Sequence, residues 1–96
     1  MRLVVASPAA RELYSAIEFY DGLAGGLGQD IVDEFEAALA QIQGFPQSGA
    51  PYMNDTRRIL MRRFPFSVVY RIKVDLVEVV ALAHRSRRPG YWTEGS

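Results

Sequence analysis

The sequence predicts one α+β domain, in the order β-α-α-β-β-β, with a helical hairpin packed on a small, mostly antiparallel sheet. Three observations carry this. Two consecutive stretches place apolar residues three and four apart, the helical spacing, with a glycine-rich break between them. The second half turns to β-branched and alternating runs cut by proline and aspartate. Ninety-six residues, about half of them apolar, suffice for one core and are too few for two, so residues 1–96 are read as a single domain.

Taken in order, Arg2 to Ala6 is a short strand. Ser7-Pro8 marks a helix start, the serine as cap and the proline pre-set for the first turn. Ala10, Leu13, Tyr14, Ile17 and Tyr20 then form the expected buried face. Gly22 to Gly28 holds four glycines and is the turn between helices. A second helix is expected over Gln29–Gln43, burying Ile31, Phe35, Ala38, Leu39 and Ile42. Its acids Asp30, Asp33, Glu34 and Glu36 are expected to be solvated. They crowd the helix N-terminus, where each contributes roughly 0.3–1 kcal/mol. Gly44 and Pro46 stop the helix, and Phe45 to Asp55 is expected to be a loop. Arg57 to Phe64 reads as a strand, Pro65 as an interruption, and Phe66 to Ile72 as an alternating strand with Phe66, Val68, Tyr70 and Ile72 inward. After a tight connection at Asp75, Leu76 to Ala83 is nearly all apolar, as for a central strand buried on both faces. The chain then becomes basic and aromatic, from His84 to Trp92.

Composition narrows the function. With no cysteine, disulfides, thiolate metal sites and cysteine nucleophiles are excluded, and one histidine, His84, speaks against a histidine metal cluster. No metal and no cofactor are expected. No stretch reaches membrane-spanning length and the N-terminal apolar run is too short for a signal peptide, so a cytoplasmic protein is expected. The neutral total hides a division. Up to Met53 there are seven acids and two bases, and from Asn54 onward nine bases and four acids. One surface should therefore attract a polyanion or an acidic peptide, unless the arginines are simply solvated on strand edges.

Two blocks resemble a known family. Arg63-Phe64-Pro65-Phe66-Ser67-Val68-Val69-Tyr70-Arg71-Ile72 resembles the penultimate strand of toxins of the ParE/RelE superfamily. Val79 to Trp92 resembles their last strand and its His-Arg-Arg-Pro-Tyr-Trp ending, and Ser7 to Leu13 resembles their strand-to-helix junction. The resemblance implies the toxin of a type II toxin–antitoxin pair, with the ParE-like branch favoured. It also implies a cognate antitoxin, usually a DNA-binding dimer whose tail wraps the toxin.

Two targets follow from the resemblance: DNA gyrase, inhibited without nuclease activity, or ribosome-bound mRNA, cut as RelE-like members do. For a nuclease, the candidates are Arg58 and Arg62 as middle-strand cations, Arg85 or Arg87 as the late cation, His84 as acid–base group and Tyr91. However, Ser67 stands where such nucleases carry an arginine, and arginine stays protonated at neutral pH. The unperturbed pKa of a histidine lies close to physiological pH, but His84 directly follows a buried strand, where its ring suits a structural hydrogen bond better than catalysis. For a gyrase inhibitor, Arg85, Arg87, Arg88, Tyr91 and Trp92 would form the target-binding surface, arginine and aromatics being frequent interface anchors. Tyr91 and Trp92 could equally fold back over the sheet. A relative without toxicity, or an interaction module of this fold, is the third class, since fold does not determine function.

Overall fold

The computed structural model describes residues 1–93, so Glu94 of the charge pattern lies outside the described residues. Strand β1 (Arg2–Val5) leads into helices α1 (Ser7–Leu23) and α2 (Leu27–Gly44), and a 3-10 turn follows at Pro46–Ser48. Four strands complete the sheet: β2 (Ala50–Tyr52), β3 (Thr56–Leu60), β4 (Phe66–Ile72) and β5 (Leu76–His84). Their spatial order is β1-β5-β4-β3-β2, with β1 parallel to β5 and the remaining pairs antiparallel.

The predicted helical hairpin is present, and three of its details differ from expectation. Ser7 does not cap α1: Ala6 occupies that position with an extended backbone, and no side chain bonds the free N–H groups. Tyr14 is 66% exposed, because the buried stripe runs through Ala9, Leu13, Ala16 and Tyr20 instead. The two buried alanines let α1 lie close to the sheet, which turns Tyr14 outward. Helix α2 begins two residues early. Its start is held by Asp21, whose Oδ1 accepts the Gly28 N–H at 2.8 Å. That carboxylate lies 2.7 Å from where a Gly28 Cβ would go, so a larger residue there would displace Asp21 from this contact.

Two of the α2 acids are engaged in contacts that the expectation of solvated acids missed. Asp30 pairs with Arg63 at 3.1 Å, and Glu34 accepts the backbone N–H of Arg62 at 2.8 Å. Both reach the bend after β3, where Arg57–Phe64 was expected to continue as a strand. The strand stops at Leu60 because the chain must reverse into β4 around Pro65, closed by Met61 N–H to Phe66 C=O at 2.9 Å.

The expected loop over residues 45–55 contains β2, paired with β3 through Ala50↔Arg58 and Tyr52↔Thr56. Its turn puts Asn54 and Asp55 at positive φ, which these residue types tolerate best after glycine. The approach to β2 is fastened from the core. The buried Tyr70 hydroxyl donates to Pro46 C=O at 2.5 Å and accepts the Gly49 N–H at 2.9 Å, while Arg57 donates to the Gln47 and Gly49 carbonyls.

Val68, Tyr70, Val77, Val79 and Leu82 face the helices and meet Ile31, Phe35, Ala38 and Ile42. Between β4 and β5 the register shifts, with Val69 opposite Ala81 and Tyr70 opposite Val79, which leaves Val80 as the extra residue of a bulge. Val69 and Ala81 point to the other face of the sheet and are also fully buried, so β5 is covered on both sides. A Tyr70→Phe protein should lose roughly 1–3 kcal/mol in urea unfolding, since a buried and a part-buried backbone group lose their partner. Gly49→Ala should cost at least as much, its Cβ falling 2.5 Å from the Tyr70 hydroxyl. Unchanged midpoints in both would refute this fastening.

Candidate functional site

The site arises from a mismatch of strand lengths. Strand β1 pairs with β5 only along Leu76–Val79, yet β5 continues to His84. The outward-facing N–H of Leu82 meets no strand and donates instead to Glu12 Oε1 at 3.0 Å, from the second turn of α1. The other oxygen of Glu12 accepts the hydroxyl of Tyr91. One carboxylate thus joins α1, β5 and the C-terminal tail.

The tail can return because its turns are encoded locally. Arg85 N–H donates to Pro65 C=O at 2.7 Å, Arg87 N–H to His84 C=O at 2.9 Å, and Gly90 adopts φ +82°. A Cβ on Gly90 would lie 3.1 Å from Met53 Sδ, so the tail runs close against the β2–β3 turn. A last 3-10 turn, Tyr91–Thr93, then lays Tyr91 and Trp92 half-buried across the back of the sheet.

There the side chains interleave. The Arg58 guanidinium sits 4.2 Å over the Tyr52 ring, Tyr52 lies 5.7 Å from Trp92, and Trp92 meets Tyr91 edge-on at 5.5 Å. Arg87 closes the row 3.9 Å over Tyr91. Cation–π contacts of this kind contribute about 0.5–1 kcal/mol at exposed sites and hold the guanidinium plane in place. The row borders a cleft of about 400 Å³, lined also by Ser67, His84, Arg85 and Arg88, and no carboxylate lines it among the described residues.

The cleft gathers Arg58, His84, Arg85, Arg87, Arg88, Tyr91 and Trp92 in one place. Arg62 is not part of it; its residue lies in the bend after β3, with its backbone tied to α2. Ser67 contributes a hydroxyl-bearing side chain to the cleft where the resemblance would place an arginine. His84 stands edge-on to Phe66 at 5.1 Å, and its Nδ1 accepts the Ser86 N–H at 3.0 Å with the Ser86 hydroxyl 2.8 Å away. The backbone donor makes Nδ1 the unprotonated nitrogen. Two residues that sequence reasoning did not single out, Glu12 and Tyr52, are central to the arrangement. Nothing local marks them, because their partners arrive from distant segments.

Among the described residues no group of three or more carboxylate and histidine side chains could hold a metal, and no helix is long and apolar enough to cross a membrane.

Burial, then the hydrogen bond and charge of Glu12, push the Tyr91 hydroxyl well above its ordinary value, against a smaller lowering by Arg87. A phenol raised on folding stabilises the protein below the unfolded value of about 10 and ceases to do so as pH rises through the folded one. Wild-type stability should therefore fall more steeply than that of Tyr91→Phe between about pH 9 and 11. Parallel curves in urea titrations across that range would contradict the lock.

Comparison with known proteins agrees with this architecture. No curated protein matches the sequence. Nine chains of solved structures match, among them one from the "Chromosomal ParDE TA system from P. aeruginosa". It is 22% identical, covers 88% of this chain and 95% of its own, and superposes with a TM-score of 0.77, which shows a common fold. The family described as "ParE toxin of type II toxin-antitoxin system, parDE" matches over residues 3–89. With that match spanning nearly the whole chain, β1 through the start of the tail, the protein belongs to the ParE toxin family of type II toxin–antitoxin systems.

Proposed function

We propose that this toxin inhibits bacterial growth in the cytoplasm by poisoning DNA gyrase, and that a cognate antitoxin holds it silent. The observation that carries the reading is the composition of the cleft: arginines and aromatic rings arranged for binding, with no group placed to take a proton. RNA cleavage by attack of a 2′-hydroxyl needs a base, and each candidate is committed elsewhere. His84 Nδ1 is occupied by Ser86, the Tyr91 hydroxyl is held protonated by burial and Glu12, and Arg58, Arg85 and Arg87 are cations throughout. Arg62 stands apart from the rest.

A binding role uses the same residues without strain. Arg87 and Arg58 are pre-oriented by the rings beneath them, and Arg85 and Arg88 extend the cationic surface into solvent. Pre-orientation lowers the entropy lost when a long side chain is fixed at an interface, so these positions suit the anchoring of a partner. The antitoxin reading rests on the family, whose description pairs the toxin with such a partner.

The direct experiment runs gyrase supercoiling and ribosome-dependent mRNA cleavage on the same toxin preparation. Loss of supercoiling with intact mRNA is expected; cleaved mRNA beside active gyrase would overturn the proposal and make His84, Arg58 and Tyr91 the residues to mutate. Arg85→Ala/Arg87→Ala/Arg88→Ala should keep a native circular-dichroism spectrum and lose at least tenfold in growth inhibition on induction. Full toxicity in that variant would exclude the tail arginines from the target surface.

A further inference from the structure

We propose that the unpaired end of β5 takes an extended segment of the antitoxin as an added strand, and that this strand dislodges Glu12 and so unfastens the tail. The proposal rests on the antitoxin reading and says where that partner binds and how it silences the toxin. Along the outer edge of β5 the main-chain bonds end with Ala6 N–H to Val79 C=O at 2.9 Å. Beyond it, Val80–His84 has no strand alongside among the described residues. The Leu82 N–H of that stretch faces outward and meets a carboxylate oxygen, Glu12 Oε1, at 3.0 Å. A side chain thus stands where the carbonyl of a neighbouring strand would.

The surroundings specify the occupant. Val80 and Leu82 line a groove of about 1210 Å³, bounded by α1 through Ala16 and Phe19 and by the tail through Tyr91 and Trp92. Phe19 is 62% exposed, so a large apolar ring at this groove lacks a cover. Arg11 also lines it and has no ion pair among the described residues. A helix, about 10–12 Å wide and with its own N–H groups satisfied, gains nothing from a free strand edge. A nucleic acid is disfavoured because Glu12 and Glu78 line the groove together with its arginines. An extended peptide uses the edge directly. Its main chain supplies the carbonyl that Leu82 requires, and its side chains fall in two alternating rows. Apolar residues of one row cover Ala16 and Phe19, and an acidic residue meets Arg11.

The added strand has a consequence for the cleft. Its main chain lies about 4.8 Å from β5, in the space that the Glu12 carboxylate now crosses. Glu12 turns away, and its second oxygen leaves the Tyr91 hydroxyl. The row of Tyr52, Trp92, Tyr91 and Arg87 then loses the link that fixes its position against α1. Binding at one edge of the sheet disorganises the cleft without covering it.

The test titrates the full toxin with its cognate antitoxin, reading affinity, Leu82 amide exchange and the fluorine NMR signal of a toxin carrying fluorotryptophan at Trp92. Glu12→Ala should bind the antitoxin about tenfold more tightly, since no charge-assisted hydrogen bond is surrendered on binding. In that variant the Leu82 amide should exchange rapidly in the free toxin and at least tenfold more slowly in the complex. The wild-type Trp92 signal should move on binding toward its position in free Glu12→Ala. Phe19→Ser should weaken binding while keeping a native circular-dichroism spectrum. Unchanged or weaker binding by Glu12→Ala, a Leu82 amide left unprotected, or an unmoved Trp92 signal would each overturn the proposal. An antitoxin that binds tightly with any of those results leaves the partner reading standing and places its site elsewhere. One that does not bind the wild-type toxin at all overturns both.

Discussion

A strand of nine residues lies beside a strand of four, and the structure is organised around that difference. A buried strand edge cannot leave its N–H groups without partners, since each costs on the order of 1–3 kcal/mol. Where β1 ends, Glu12 supplies an acceptor from α1, and its second oxygen is then directed at the tail. The parallel β1–β5 pairing, the closeness of α1 permitted by Ala9 and Ala16, and the return of residues 85–93 meet at this one carboxylate.

The position of the tail in turn determines where charge accumulates. Once Tyr91 is fixed, Trp92 reaches Tyr52, and the two arginines that flank this row are oriented by the rings. On the helix side, acids and bases offset one another through Asp30–Arg63 and the Glu34 contact with the bend after β3. On the back face, Arg58, Arg85, Arg87 and Arg88 gather on one cleft that no carboxylate lines among the described residues. A ParE-family toxin with this distribution presents a cationic, aromatic surface whose members are already held in place before a partner arrives.

How much of this could be read in advance follows from the range of each interaction. Periodicity is local, so the two helices and the strands β4 and β5 were legible, as was the basic ending. The rotation of α1 was not, because Ala9 and Ala16 give as good a helical stripe as Ala10, Tyr14 and Ile17, and only packing against β5 chooses between them. Strand β2 was missed although Asn54-Asp55 is a hairpin turn signal, because three residues containing a proline offer no alternation to recognise. Glu12 was unreadable in principle: its partners lie 70 and 79 residues away. The cleft residues were mostly named from the tail, but their gathering with Arg58 and Tyr52, and the exclusion of Arg62, depend on the register Arg58↔Val69 and on the strand ending at Leu60.

The sole tryptophan of the chain makes the central constraint directly measurable. In Glu12→Ala the tail loses its anchor while α1, the sheet and the core remain. Trp92 fluorescence should shift to longer wavelength and become several-fold more accessible to a neutral quencher, with the far-ultraviolet dichroism unchanged. If emission and quenching stay as in the wild type, Glu12 does not hold the tail, and the organisation of the cleft described above is wrong.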